Sequence, residues 1–478
     1  MRTMIAVVAL GVWATAVRAD EGPAWPQFRG PGGSGVADGQ KPPVEFGPTK
    51  NLKWKVPAPA GLSSPITAGD KLVITAFEDG KLYTVAYHRA DGKEAWRKEA
   101  PAKKIEGYFK KGGSPAAATP ATDGQRIFAF FGSCGVICYD LDGKELWKFE
   151  MPTAVTAGNF GTGSSPIVTD GTVIIVRDEL KGSKIIALDA TTGKPKWQKA
   201  RLSPASYSTP VVWDTPGGKQ VVVAGHARLI AYDLTTGAEK WSVGGIPSGC
   251  CASPVVAEGG LFFAGYSPGG PEDEFKMPTF DELLKQLDKD KDGAISKDEV
   301  KNTQFEDFFD AWDTNKDGKI TRDEWDSLLK FMAEGKSAAL ALKAGGEGDV
   351  TTSHVRWKQT KGLPHLSSGL VYRGQYLMVK DGGLVTAYDA KSGKPLYVQE
   401  RALPTGQYWA SPVAANGHIY FTSLADGVVT VLKAGSAKPE VVAKNPGLGE
   451  RVGATPVIAD HTLYIRTDGH LYAFSEEK

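Results

Sequence analysis

Ala187-Leu188-Asp189-Ala190-Thr191-Thr192-Gly193-Lys194-Pro195-Lys196-Trp197 returns 44 residues later as Ala231-Tyr232-Asp233-Leu234-Thr235-Thr236-Gly237-Ala238-Glu239-Lys240-Trp241. In each copy a strand ends in Ala-x-Asp, the chain turns at Thr-Gly, and it re-emerges with a Trp at the same offset. Asp bonds its own turn backbone and Gly allows a positive φ there. The Trp offers a large flat face to a neighbouring unit. A period in the forties with strand signals in every copy predicts stacked or radial repeats.

Outward from this pair, eight units each open with a small-residue pair: Ser64-Pro65, Thr119-Pro120, Ser165-Pro166, Thr209-Pro210, Ser253-Pro254, Ser368-Gly369, Ser411-Pro412 and Thr455-Pro456. The spacing is 46 residues from Pro120 to Pro166 and 44 from Pro166 to Pro210, from Pro210 to Pro254 and from Pro412 to Pro456. Within a unit, Pro166-Ile167-Val168, Val173 to Val176, Lys184 to Leu188 and Lys196-Trp197-Gln198 read as four short strands joined by Gly/Asp turns. Four strands per period predict a propeller blade, and hence an all-β ring. The eighth unit stops at Leu471-Tyr472-Ala473-Phe474 without a Trp strand, whereas Leu52-Lys53-Trp54-Lys55-Val56 is a Trp strand lacking the three before it. The prediction is an eight-bladed propeller over residues 51–475, closed by its own N-terminal strand so that no sheet edge is left open. The motif drifts elsewhere: His88 replaces Asp in blade one, blade two is one residue shorter, blade six ends in Tyr397, and blade seven has lost the pattern around Val431 to Gly435.

Between Ser253 and Ser368 lie 115 positions where one period is expected, so roughly 70 residues, placed at 268–337, are inserted in blade five. Phe280, Leu283, Leu284 and Leu287 have helical spacing. Two twelve-residue acidic loops follow, Asp288 to Glu299 and Asp313 to Glu324, and they resemble EF-hand loops. Oxygens at positions 1, 3 and 5, a carbonyl at 7, a water-linked group at 9 and a bidentate Glu at 12 surround Ca²⁺, with Gly at 6 for the bend. Here these are Asp288, Asp290, Asp292, Ala294, Ser296 and Glu299, then Asp313, Asn315, Asp317, Lys319, Thr321 and Glu324, which implies two calcium sites. Ile295 and Ile320 are placed to pair the loops. Only Val300 to Trp312 separates them, so the hands share one helix or each has a very short one. Structural occupancy fits this better than sensor-like opening.

The 478 residues carry a formal net charge of +1, and no basic run exceeds two lysines, which argues against a nucleic-acid partner. Met1 to Ala19 has Arg2, an apolar core and the small-x-small ending Val17-Arg18-Ala19, the pattern of a secretory leader. Residue 20 is Asp, so no lipid-anchor cysteine is expected, and no stretch reaches the ~20 apolar residues of a membrane span. The expected address is periplasmic or secreted. Residues 20–50, including Trp25-Pro26-Gln27-Phe28-Arg29-Gly30-Pro31, read as an irregular N-terminal wrap. Four cysteines are too few for a disulfide framework. Cys250-Cys251 is either a strained vicinal disulfide or two buried thiols at a strand start.

The insertion joins the second and third strands of its blade, so it shares a face with the connections between blades. That face also collects Asp178, Asp381 and Asp468 from second-to-third-strand loops, and Phe160, Tyr207, His365, Tyr408 and Trp409 from inter-blade loops. These form the expected recognition face, overhung by the acidic module.

The docking motif, the Ser-Pro openings and the blade count resemble the PQQ-like propeller family, over nearly everything from Trp54 to Phe474 outside the insertion. That family has a branch of quinoprotein alcohol dehydrogenases, which bind pyrroloquinoline quinone and calcium on the axis and carry a catalytic Asp and a vicinal disulfide. It also has a BamB-like branch, which keeps the blades without the cofactor. The Gly and Trp of the motif are needed for stacking in either branch. No Glu, Asn and Asp set is identified that must converge on the axis, and no catalytic triad, zinc spacing or phosphate loop stands out. The resemblance therefore implies a monomeric, non-catalytic binding or scaffold protein for a protein, small-molecule or carbohydrate ligand. A PQQ-dependent dehydrogenase is the alternative.

Overall fold

In a computed structural model, residues 24–267, 277–303 and 305–476 are described; the leader expected at 1–19 and part of the insertion, 268–276, lie outside them. Among the described residues the repeats form eight blade sheets, seven of four antiparallel strands and one, blade four, with a short fifth strand added in parallel. Blade three is representative, with Ile167–Thr169, Thr172–Arg177, Lys184–Asp189 and Pro195–Ala200 in sheet order. Alternation leaves its second strand buried on both faces, Thr172–Arg177 being apolar at Val173, Ile174, Ile175 and Val176, while the outermost strand is largely exposed.

The Trp and Gly of the repeat work as one joint. Trp147 of blade two lies over Gly193 of blade three, where a Cβ would fall 2.4 Å from the ring, and its indole N–H donates to the Ala190 carbonyl at 3.1 Å. Trp54, Trp96, Trp197 and Trp357 repeat the bond to Arg89, Leu141, Leu234 and Ala390, each at 3.0 Å. Between blades four and five the joint is different. Trp241 donates to Gln220 of its own blade, and a strand Gly348–Asp349 from the far end of blade five pairs in parallel beside it.

The small-residue openings form a second, closed device. The backbone N–H of Ser64 donates to the Thr119 hydroxyl, that of Thr119 to Ser165, and so on through Thr209, Ser253, Ser368, Ser411 and Thr455, whose N–H returns to Ser64. All eight bonds measure 2.9–3.0 Å and are buried. This girdle circles the axis at the mouth of the innermost strands, and each bond satisfies an amide that the sheets leave without a partner.

Leu52–Pro57 pairs with His470–Phe474 as the outermost strand of blade eight, so the N-terminal strand closes the ring. The segment before it does not merely wrap the outside. Trp25 and Pro26 carbonyls accept from Thr67 and Thr122 of blades one and two, Gly33 packs on Val211 of blade four, Arg29 donates to Gly369 of blade six, and Gly35 and Ala37 bond Ala414 of blade seven. A segment that touches the innermost strands of five blades lies on the axis. Residues 25–37 are a plug below the girdle, with Trp25 and Arg29 wholly buried.

Candidate functional site: the calcium module and the axial mouth

The insertion leaves blade five after Gly260–Gly265 and returns at Ala338–Leu342, joining its second and third strands. Among its described residues are three α-helices, α1 (Phe280–Leu287), α2 (Phe309–Trp312) and α3 (Arg322–Glu334). Thr279 and Glu282 cap α1 reciprocally, as Thr321 and Glu324 cap α3. Among the described residues between the loops, the helical elements are a 3-10 turn at Glu306–Phe308 and the single turn of α2, so both loops share one short helix. A small core of Phe280, Leu283, Ile295, Phe309, Ile320 and Trp325 holds the module together.

Both loops fold alike. Gly293 and Gly318 take φ of 82° and 87°, and Ile295 pairs with Ile320. In the first loop Asp288 accepts from Gly293 N at 3.1 Å, Asp292 from Ala294 N at 2.9 Å, and Glu299 from Ser296 N at 2.8 Å. In the second, Asp313 accepts from Gly318 N, Asp317 from Lys319 N and Glu324 from Thr321 N, each at 2.9 Å. Asn315 Oδ1 takes Asp317 N at 2.9 Å. Burial works against the charge of Glu299, but amide bonds from Ser296 and Lys289 hold its carboxyl below the usual range. Glu324 is held low in the same way, with Thr321 as the main donor against burial.

These residues fit a hard cation. Oxygens of Asp288, Asp290 and Asp292 lie within 4.8 Å of one another, and Asp288 Oδ1 is buried with no hydrogen-bond partner. Among the described residues this is the cluster of three or more His, Cys, Asp or Glu side chains close enough to share a metal. Oxygen-only donors at this spacing suit Ca²⁺.

The module lies on the connections between blades. Asn159 donates to the Asp310 carbonyl at 3.2 Å, His226 stacks on Phe331 at 4.8 Å and pairs with Glu334 at 2.5 Å, and Phe308 stacks on Phe109 at 6.2 Å. Lys111 pairs with Asp307. Phe109 and Lys111 belong to the connection from blade one to blade two, residues 100–118. That loop continues to Gly112, which abuts Trp409 and whose carbonyl accepts from Arg451 at 2.6 Å. It thus bridges from the module to blades six to eight. Sequence reasoning missed Phe109, Gly112, Phe308 and Arg451. The available signal was the spacing from Pro65 to Pro120, 55 residues against the 44 to 46 of the other Pro-to-Pro intervals quoted above.

The eight expected face residues divide. Phe160 is 38 % exposed and packs against Phe109 at 5.7 Å and Tyr207 at 6.3 Å. Tyr207, Cys251 and Trp409 each stand two residues before a girdle residue, and all three are half-buried around the mouth. Arg451 lies 4.9 Å over Trp409 and pairs with the exposed Asp468 at 3.9 Å. His365 contacts Asp381 at 3.2 Å, and Asp381 also accepts from Tyr408 N. Two residues do not serve the face. Asp178 is sealed in a bidentate pair with Arg201, at 0 % side-chain exposure for both, and Tyr408 is buried with its hydroxyl on the Pro404 carbonyl. The polar character of their loops hid these internal partners. All four cysteines are free thiols, and burial pushes Cys251 up to about 12.

One buried acid beneath this face was not anticipated. Glu106 accepts from Thr162 Oγ1 at 2.7 Å, has its other oxygen unpartnered, and is pushed up to about 7 by burial.

A family model described as outer membrane protein assembly factor BamB matches residues 84–269 and 347–477, breaking off around the insertion. The chain belongs to that family. EF-hand models match residues 280–302 and 304–335. No curated protein matches the chain. Among solved structures, BamB from Moraxella catarrhalis is similar at 14 % identity and a TM-score of 0.55, over 88 % of this chain and 96 % of that one. A europium-containing methanol dehydrogenase has 12 % identity and a TM-score of 0.55, over 95 % and 98 %. Quinohemoprotein alcohol dehydrogenase from Comamonas testosteroni has 14 % identity and 0.53, over 95 % and 81 %. At these identities the likeness is one of fold, shared by a BamB and by dehydrogenases. The membership carries the eight-bladed, PQQ-like propeller, and the EF-hand matches carry calcium binding by the module. Among the described residues no helix is long and apolar enough to cross a membrane.

Proposed function

We propose that this BamB-family chain is a periplasmic or secreted, non-catalytic binding or scaffold protein that acts as a monomer and recognises its ligand at the axial mouth. The supporting observation is the bridge over that mouth: Phe109 packs at a tilt on Phe160 and stacks on Phe308, and the same loop reaches Trp409 and Arg451. Aromatic and Arg groups on loops held by a rigid ring are what recognition of a protein or carbohydrate uses. Both EF-hand loops hold Ca²⁺, through Asp288, Asp290, Asp292, Ala294, Ser296 and Glu299, and through Asp313, Asn315, Asp317, Lys319, Thr321 and Glu324. Bound calcium keeps the module seated on the connections it touches.

The alternative, a PQQ-dependent dehydrogenase, draws on the fold shared with two dehydrogenases and on Cys250-Cys251 at the mouth. The axial plug, the free thiols and an acid cluster that among the described residues lies in the module support the binding reading.

Two measurements test it. Purified protein is given pyrroloquinoline quinone and Ca²⁺, then assayed for bound-cofactor absorbance and dye reduction with a panel of alcohols; turnover would overturn the proposal. Pull-downs from the periplasmic or secreted fraction compare the native chain with Phe160→Ala/Trp409→Ala. Loss of a specific captured ligand in the variant is expected, and unchanged capture counts against the mouth.

A further inference from the structure

Three exposed aliphatic side chains stand on adjoining loops at the blade-three corner of the insertion-bearing face. Val155 is 56 % exposed, Leu180 43 % and Leu202 94 %. They come from three separate loops locked side by side. Leu180 N donates to the Val155 carbonyl at 2.9 Å. Ser183 Oγ, in the loop of Leu180, donates to the Ser203 carbonyl at 2.8 Å, and Arg201 N donates to Ser183 O at 2.8 Å, so Leu202 is held between two tethers to that loop. A fourth loop adjoins them, where Thr153 Oγ1 donates to the Lys104 carbonyl at 3.4 Å.

The charges here are sorted. The acids of the corner are turned inward: Asp178 into the buried pair with Arg201, and Glu179 against Arg177 at 2.9 Å, with side chains at 9 % and 2 % exposure. Glu106 is buried as well. Lys103, Lys104 and Lys181 remain exposed on the same loops, without an ion pair within 4 Å among the described residues. Glu150 beyond them is engaged by Lys148 at 3.0 Å, although Lys103 also acts on it. A chain that is nearly neutral overall therefore presents, at one corner, aliphatic tips on loops that also carry three exposed lysines.

We propose that this corner docks onto the surface of an anionic lipid bilayer. It goes beyond the binding reading of the mouth and does not rest on it. Protein interfaces centre on Trp, Tyr and Arg seated in pockets and are depleted of Lys. Here the tips are Val and Leu on projecting loops that also carry lysines. Aliphatic tips inserting among headgroups while lysines meet lipid phosphates match the chemistry of interfacial membrane binding. The rigid tethers mean that little loop entropy is lost on docking.

The test uses the mature, calcium-loaded chain in vesicle co-sedimentation, with pure phosphatidylcholine against phosphatidylcholine containing 30 % phosphatidylglycerol. The native chain is expected to partition into the anionic vesicles alone and to be released by salt. Leu180→Glu/Leu202→Glu and Lys103→Glu/Lys104→Glu should each weaken partitioning at least tenfold with unchanged circular dichroism and melting. Leu396→Glu, at an exposed aliphatic on blade six, should behave as the native chain. Absence of partitioning, or equal partitioning of Leu180→Glu/Leu202→Glu, overturns the proposal. So does the finding that those substitutions abolish binding of a purified protein ligand while vesicles are ignored. Trp409→Ala, which tests the mouth, should leave vesicle binding intact, so the two readings fail separately.

Discussion

Gly193 carries two constraints at once. Its φ is 69°, and a Cβ would strike the Trp147 ring at 2.4 Å. Gly171 has nearly the same φ, 65°, with nothing within 4 Å. Gly171→Ala should therefore cost only the backbone strain, about 1 kcal/mol, while Gly193→Ala adds displacement of the indole and should cost about 2–4 kcal/mol. Urea unfolding of the two variants checks the difference, and equal midpoints would refute the joint. Glu106 sets a pH dependence. Its folded value of about 7 lies above the ordinary 4.5, with burial as the main cause against the Thr162 hydrogen bond. The folded chain thus holds more protons than the unfolded one between these values, and its stability falls as pH rises through that window and levels off above 7. Glu106→Gln should remove that slope, a relative gain at pH 8 over pH 5 on the order of 3 kcal/mol. Melting temperatures across this range decide it.

At the scale of the element, the girdle and the calcium loops make opposite demands on prediction. Thr209→Val strips the acceptor from the buried Ser165 N–H and should cost about 1–3 kcal/mol, whereas Thr209→Ser keeps it and should cost less. In the module, Glu299→Gln and Glu324→Gln each weaken the twelfth ligand of one loop. Titration calorimetry should then read two calcium equivalents for the native chain and one for each variant; a native value of one would confine binding to a single loop. The loops were legible because their ligand chemistry is local to twelve residues, and the strands because their period repeats. The shared helix was legible only as a choice, since thirteen residues admit either arrangement. The connection with Phe109 and the fate of Asp178 were not legible. Both depend on partners distant in sequence, Phe308 and Arg201, and nothing periodic marks them.

At the scale of the whole molecule, closure depends on the beginning of the chain twice. Leu52–Pro57 covers the edge of the last blade, while residues 25–37 fill the axis of the ring. The strand announced itself through Trp54, but the plug has no alternation from which its destination could be read. The two contributions are separable by truncation. A chain beginning at residue 51 loses the plug and keeps the closing strand, so it leaves the first-strand amides of Thr67, Thr122 and Ala414 without their present acceptors and should melt lower while staying monomeric. A chain beginning at residue 58 loses both and bares the full length of His470–Phe474, a strand that is apolar from Leu471 to Phe474. An unpaired edge of that kind pairs with another chain. Light scattering after size exclusion should find oligomers growing with concentration for the second truncation and not for the first. A monomeric second truncation with the first one's melting temperature would mean that the girdle alone holds the ring shut.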